Sequence, residues 1–140
     1  MPITLDQANR IIDAALAHSN SAGFQPMAVV VLDTGGHVVS AQRQDGASMF
    51  RIDIATGKAW ASIAMGAASR LLKERAKDLP AFFGALASTA QGKFIPQTGA
   101  VLIRDADGQT LGAVGASGGT GDEDERICIA GVEAAGLAHG

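Results

Sequence analysis

The chain has 140 residues, with 11 basic against 14 acidic side chains and a net charge of −3; 47% of it is hydrophobic, much of that alanine. That length suits one domain spanning 1–140, which buries roughly 68–70% of its unfolded-chain surface and needs no crosslinks. Aromatics at 4% and the lack of a basic cluster argue against nucleic-acid and anionic-membrane partners, and the sole cysteine, Cys128, excludes an internal disulfide or a thiolate-cluster metal site.

Thr4 to about Ala22 reads as a helix. Thr4 and Gln7 have capping-box spacing, and Leu5, Ala8, Ile11, Ile12, Ala15 and Leu16 form one apolar stripe before a stop at Gly23. The polar start, Met1 to Arg10, lacks the basic and apolar regions of a signal peptide, and no run nears the ~20 apolar residues of a membrane span. A cytoplasmic, soluble protein is the expectation. His18, near the end of the helix, reads as a favourable partner for the helix dipole rather than as a ligand.

Met27–Leu32 is a short apolar run, and Asp33-Thr34-Gly35-Gly36 is a turn. His37–Arg43 returns as a second strand, so the two form an antiparallel hairpin. From Ser48 to about Leu72 the chain reads as mostly helical, with Ile52, Ala55, Ala59 and Ile63 as its stripe and small residues on several faces. Charged Leu71–Leu79 reads as a solvated turn or helix end, and Pro80–Leu86 as a short helix with proline at its first position. Met49 and Met65 read as core gap-fillers.

Gly99–Arg104 is a strand, Asp105-Ala106-Asp107-Gly108 a hairpin turn, and Thr110–Ala116 the returning partner. Ser117–Gly121 then breaks the run, and an apolar-striped helix follows to about Leu137. Thr120 and Glu123 form a second capping box, while Asp122 to Glu125 complement the helix dipole and disfavour a phosphate cradle. Cys128 falls inside this helix and reads as a buried, inert thiol. Ala138-His139-Gly140 is expected to fray. The order is α-β-β-α-α-β-β-α, an α/β domain with a central antiparallel sheet.

Arg43, Asp45, Arg51, Asp53 and Lys58 form a charged set between the second strand and the long helix. One reading is separate surface ion pairs. The other is a pocket in which Arg43 or Lys58 grips a small anionic ligand while Asp45 or Asp53 moves a proton, a cofactor-independent enzyme acting on a carboxylated or carbonyl metabolite. Asp45, Asp53 and Lys58 are thus the catalytic candidates. Ser117 lies in a bare G-x-S-x-G frame, Gly115 to Gly119, but the chain is too short for the sheet that motif needs, so the match reads as accidental. No histidine or cysteine spacing suits a metal.

Four stretches together carry a resemblance: Asp33-Thr34-Gly35-Gly36-His37-Val38-Val39; Arg43-Gln44-Asp45-Gly46-Ala47; Ile52-Asp53-Ile54-Ala55 with Lys58-Ala59; and Gly112-Ala113-Val114-Gly115-Ala116-Ser117-Gly118-Gly119-Thr120 with Asp122 to Asp124. They resemble, in order and over nearly the whole chain, the GlcG/HbpS family, the haem-binding or haem-degrading domain also found at the C-terminus of PduO corrinoid adenosyltransferases. The resemblance implies a profilin-like α-β-α sandwich, homo-oligomers, and haem or a related tetrapyrrole as ligand. It singles out Arg43, Asp45, Asp53, Lys58, Ser117, Gly118, Gly119 and Thr120 as ligand-binding candidates. Haem takes a His, Met, Cys or Tyr axial ligand. There is no tyrosine, and His37, after a glycine turn and in a family motif, is the candidate, with the same cations available to propionates. A non-catalytic accessory role is the third possibility.

Overall fold

A computed structural model of the chain describes residues 2–140. The elements run α1 (Leu5–Ala22), β1 (Ala28–Asp33), β2 (Val38–Arg43), α2 (Phe50–Met65), α3 (Ser69–Asp78), α4 (Pro80–Thr89), β3 (Ala100–Arg104), β4 (Thr110–Ser117), α5 (Gly121–Ala134) and β5 (Ala138–His139). The strands form one antiparallel sheet in the order β2-β1-β4-β3-β5. Both expected hairpins form, Val29 facing Gln42 in the first and Val101 facing Val114 in the second.

The central strands β1, β3 and β4 are apolar except at their ends because both sheet faces are covered. Val29, Val31, Val101, Ile103 and Val114 point to α1 and α5, where Ile11, Ile12, Ile127 and Val132 meet them. Val30, Leu32, Ala100, Leu102 and Ala113 point the other way, to Ala55 and Ala59 of α2. Each large side chain so buried stabilises the fold by roughly 1.5–3 kcal/mol relative to exposure. A third cluster, Ala61, Leu72, Phe83 and Phe94, seats α3 and α4 on the outer side of α2.

Small residues bring these layers close. A Cβ at Gly131 of α5 would lie 3.1 Å from the Ile11 side chain of α1, and one at Gly115 of β4 would lie 3.1 Å from Ala59 of α2. Both capping boxes form, Thr4 with Gln7 and Thr120 with Glu123. Gly23 ends α1 in the left-handed conformation, at φ 71°.

Four expectations need correction. The helix begun near Ser48 does not run to Leu72, because Gly66 caps it at φ 69° and the chain restarts at Ser69. Ser69 hooks that restart to the sheet: its hydroxyl donates to the Ala100 carbonyl at 3.2 Å and accepts from the Ala100 N–H at 2.8 Å. Leu71–Leu79 is therefore mostly helix, its residues to Asp78 belonging to α3, which gives three central helices rather than two. The tail does not fray: His139 pairs with Ile103, and Leu102 and Gly140 exchange backbone bonds of 2.7 and 3.1 Å. Met49 is no gap-filler. It precedes α2 on the outside and is 81% exposed, whereas Met65 packs partly buried on the third cluster.

Candidate functional site

Two clefts flank α2, each lined by its own stripe of that helix. The first opens between the β1–β2 turn, the stripe Asp53, Thr56, Gly57 and Trp60, and Gly92-Lys93 of the α4–β3 connection. Its cavity volume is about 530 Å³. The turn is built by Asp33, whose Oδ1 accepts the N–H groups of Gly35 at 2.9 Å and His37 at 3.0 Å. Those backbone donors, that of His37 first, hold the Asp33 carboxyl below its usual range. Gly36 needs its glycine twice over. Its φ is 80°, and a Cβ there would come within 2.8 Å of the Trp60 indole nitrogen. The turn thus rests on Trp60 and presents His37 at the cleft mouth, the side chain 81% exposed with Nδ1 3.4 Å from Asp33 Oδ1. On its other side Trp60 borders an apolar slot of about 200 Å³ with Met65, Leu86 and Phe94.

The second cleft, about 370 Å³, lies along Arg51, Ile54 and Lys58 and continues over Lys73, Ile95, Gln97, Thr98, Ser117, Gly119, Gly121 and Asp124. Its floor is an ion pair. The buried Lys58 ammonium donates to Asp124 Oδ2 at 2.9 Å and to the Ala116 carbonyl at 3.1 Å. The other Asp124 oxygen accepts the Gly119 N–H at 2.9 Å. Burial pushes the Asp124 carboxyl above its usual range, and the Lys58 charge opposes it. Arg51 Nη1 donates to the Ser117 hydroxyl at 3.2 Å.

The candidates from sequence do not converge. His37 and Asp53 share the first cleft; Lys58, Ser117 and Gly119 share the second. Arg43 and Asp45 border a shallow third depression with Asn20, Phe24, Pro26 and Gln44, where Arg43 donates to the Ala47 carbonyl at 3.3 Å. Thr120 is occupied as the α5 cap. Gly118 turns to Pro26 and Met27, where a Cβ would strike the Pro26 carbonyl. No histidine lines the Ser117 cleft. Cys128 is buried, and burial raises its thiol far above the ordinary value. Among the described residues no group of His, Cys, Asp and Glu has metal-site geometry, and no helix is long and apolar enough to cross a membrane.

Sequence reasoning missed Lys93 in the first cleft and Asp124, Lys73 and Thr98 in the second. The spacing of Trp60 from Asp53, a full two turns along one helix face, is the one local signal that joins it to a named candidate. Asp124 reads from sequence as a helix-start carboxylate within the fourth motif stretch, with nothing local to name Lys58 as its partner.

The chain is thus a layered α-β-α domain with a histidine-bearing turn beside Trp60. The chain belongs to the HbpS-like family, described as haem-degrading protein HbpS-like, whose model matches residues 3–133. It is similar to a 15.0 kDa protein of Citrobacter freundii from the dhaT–dhaS intergenic region, at 28% identity over 89% of this chain and 86% of that one. Its fold is similar to the PduOC–haem complex, with TM-score 0.88, 25% identity and 99% and 98% of the two chains covered. It is also similar to a double mutant of HbpS from Streptomyces reticuli, with TM-score 0.82, 25% identity and 95% and 86% covered.

Proposed function

We propose that this chain binds haem or a closely related anionic tetrapyrrole at the cleft between the β1–β2 turn and α2. The observation that carries this reading is the exposed His37 imidazole held at the mouth of a cavity of about 530 Å³ whose wall is Trp60. That volume is within the roughly 300–1,000 Å³ of small-molecule sites. The residues present fit the group. His37 would offer an imidazole nitrogen to the iron, Trp60 and the adjoining Met65–Leu86–Phe94 slot would offer apolar surface, and Lys93 would offer a cation to a propionate. The haem bound by PduOC supports the same ligand here.

Each residue has a part that follows from its surroundings. Asp33, beside Nδ1, favours the tautomer with its proton on that nitrogen and leaves Nε2 to face a ligand. Gly36 lets the turn approach Trp60 closely enough to keep the imidazole and the indole on one cleft. Arg43 and Lys58 lie outside this cleft, so Lys93 is the cation that would meet a propionate there. When bound, haem contributes a redox-active iron and a strong visible chromophore.

The test is a haem titration of purified protein followed in the Soret region. The expected result is a saturating band that shifts and weakens in His37→Ala, with the fold unchanged by circular dichroism because His37 is at the surface. A wild-type signal that never saturates, or a His37→Ala titration indistinguishable from wild type, would sink the assignment.

A further inference from the structure

We propose that the second cleft is a separate binding site for a small organic carboxylate, gripped by Arg51 and Lys73. Three cations line the cleft, Arg51, Lys58 and Lys73, against one carboxylate, Asp124. Both Asp124 oxygens are already engaged, one by Lys58 and one by the Gly119 N–H. Lys58 is consumed in the same pair and in its bond to Ala116. Among the described residues neither Arg51 nor Lys73 has a carboxylate within ion-pair distance. The cleft therefore has two rim cations, Arg51 and Lys73, without an ion-pair partner among the described residues, over a paired floor.

The three carboxylates in the first turn of α5 each have a partner of their own. Asp122 is bound by Arg70, Glu123 closes the capping box on Thr120, and Asp124 faces Lys58. Arg51 spends one guanidinium nitrogen on Ser117, which fixes the plane of the group and leaves other donors to meet an anion. A planar guanidinium held this way matches a carboxylate in two-point geometry.

The walls set the rest of the ligand. Ile54 and Ile95 supply aliphatic surface between the cations, and Gln97, Thr98 and Ser117 supply uncharged polar groups. A cavity of about 370 Å³ with this lining suits a short-chain organic acid, its hydrocarbon on the isoleucines and its carboxylate on Arg51 and Lys73. An inorganic anion would leave the isoleucines unused. The site shares no lining residue with the His37 cleft, so it stands or falls apart from the haem reading.

The experiment is isothermal calorimetry of the whole chain with butyrate, succinate and inorganic phosphate as probes, backed by amide chemical-shift mapping. The expected result is saturable binding of at least one of the two organic acids, with shifts at Arg51, Thr98 and Gly119. Arg51→Gln is expected to weaken it about tenfold or more, the loss of one charge-assisted pair. Lys73→Gln, on an exposed side chain that leaves the core untouched, is expected to weaken it as well. Arg10→Gln makes the same charge change on α1 and is expected to bind as wild type. Three results overturn the proposal: no saturation by either acid in the tens of millimolar, phosphate bound as tightly as the acids, or equal binding by wild type and both cleft variants.

Discussion

Asp33 is the residue on which the His37 turn depends. It accepts two backbone N–H groups and sits beside the imidazole, and all three interactions favour its charged form. Its folded value is therefore depressed below the ordinary value of 3.8. The sign follows from proton linkage. A depressed carboxyl binds fewer protons when folded, so its stabilising contribution is present above 3.8 and is lost as pH falls through the lower folded value. A carboxyl-carbon NMR titration should place the Asp33 midpoint below 3.8. Asp33→Asn should also flatten the pH dependence of the urea midpoint in that acid window. An Asp33 midpoint at or above the ordinary value would contradict the turn geometry. The turn itself was legible, because Asp-Thr-Gly-Gly between two apolar runs carries its mechanism in its residue types. What His37 faces was not, since Trp60 arrives from a helix far along the chain.

At the scale of elements, α2 is held by close approach. Gly57 accepts the Ile95 N–H at 3.2 Å through its carbonyl, and a Cβ on it would meet the Ile95 side chain at 2.6 Å. Two effects compete in Gly57→Ala. Helix propensity favours alanine by up to about 1 kcal/mol, whereas overpacking typically costs about 1–3 kcal/mol. The clash involves Ile95 Cγ1 and Cβ as well as its tip, so rotation of the end of the side chain does not relieve it. The expected outcome is net destabilisation of Gly57→Ala, on the order of 1 kcal/mol in urea unfolding. Gly84→Ala is the contrast: it lies in α4 with nothing near its would-be Cβ, and should be neutral or slightly stabilised. A stabilised Gly57→Ala would mean that the 92–98 connection yields easily. Elements with local signals were legible, namely both hairpins, both capping boxes and the α1 stop at Gly23. The rest lacked such signals. β5 has two residues and no periodicity, while α3 is charged on most faces and offers only Ser69 and Leu72 as fully buried anchors.

Across the whole molecule, the Lys58–Asp124 pair joins the two helical layers past the end of the sheet, Lys58 from α2 and Asp124 from α5. The charged set from sequence contained Lys58 but not its partner, because the two lie 66 residues apart and meet only when both layers close on β4. Motif neighbours such as Arg43 and Asp45 separate from Lys58 for the converse reason: they leave the sheet at an edge strand. Gly99 makes room for the pair, since a Cβ there would lie 2.7 Å from Lys58 Nζ. Removing one partner strands the other charge in a buried setting, which costs about 3–5 kcal/mol, whereas replacing both with apolar groups is often close to neutral. Lys58→Met should therefore be strongly destabilised in denaturant unfolding near neutral pH, and Lys58→Met combined with Asp124→Leu should recover most of the loss. The pH dependence distinguishes this cause from lost packing. The Asp124 carboxyl is already raised by burial, and without Lys58 the largest opposition to burial is gone, leaving only the Gly119 N–H and the Arg51 charge. A raised folded value means that stability is retained below the unfolded value of 3.8 and lost as pH rises through the folded one. The defect of Lys58→Met relative to wild type should accordingly shrink in acid and grow toward neutrality. A defect independent of pH, or a double variant no more stable than Lys58→Met, would show that the pair fills space between the layers rather than balancing charge.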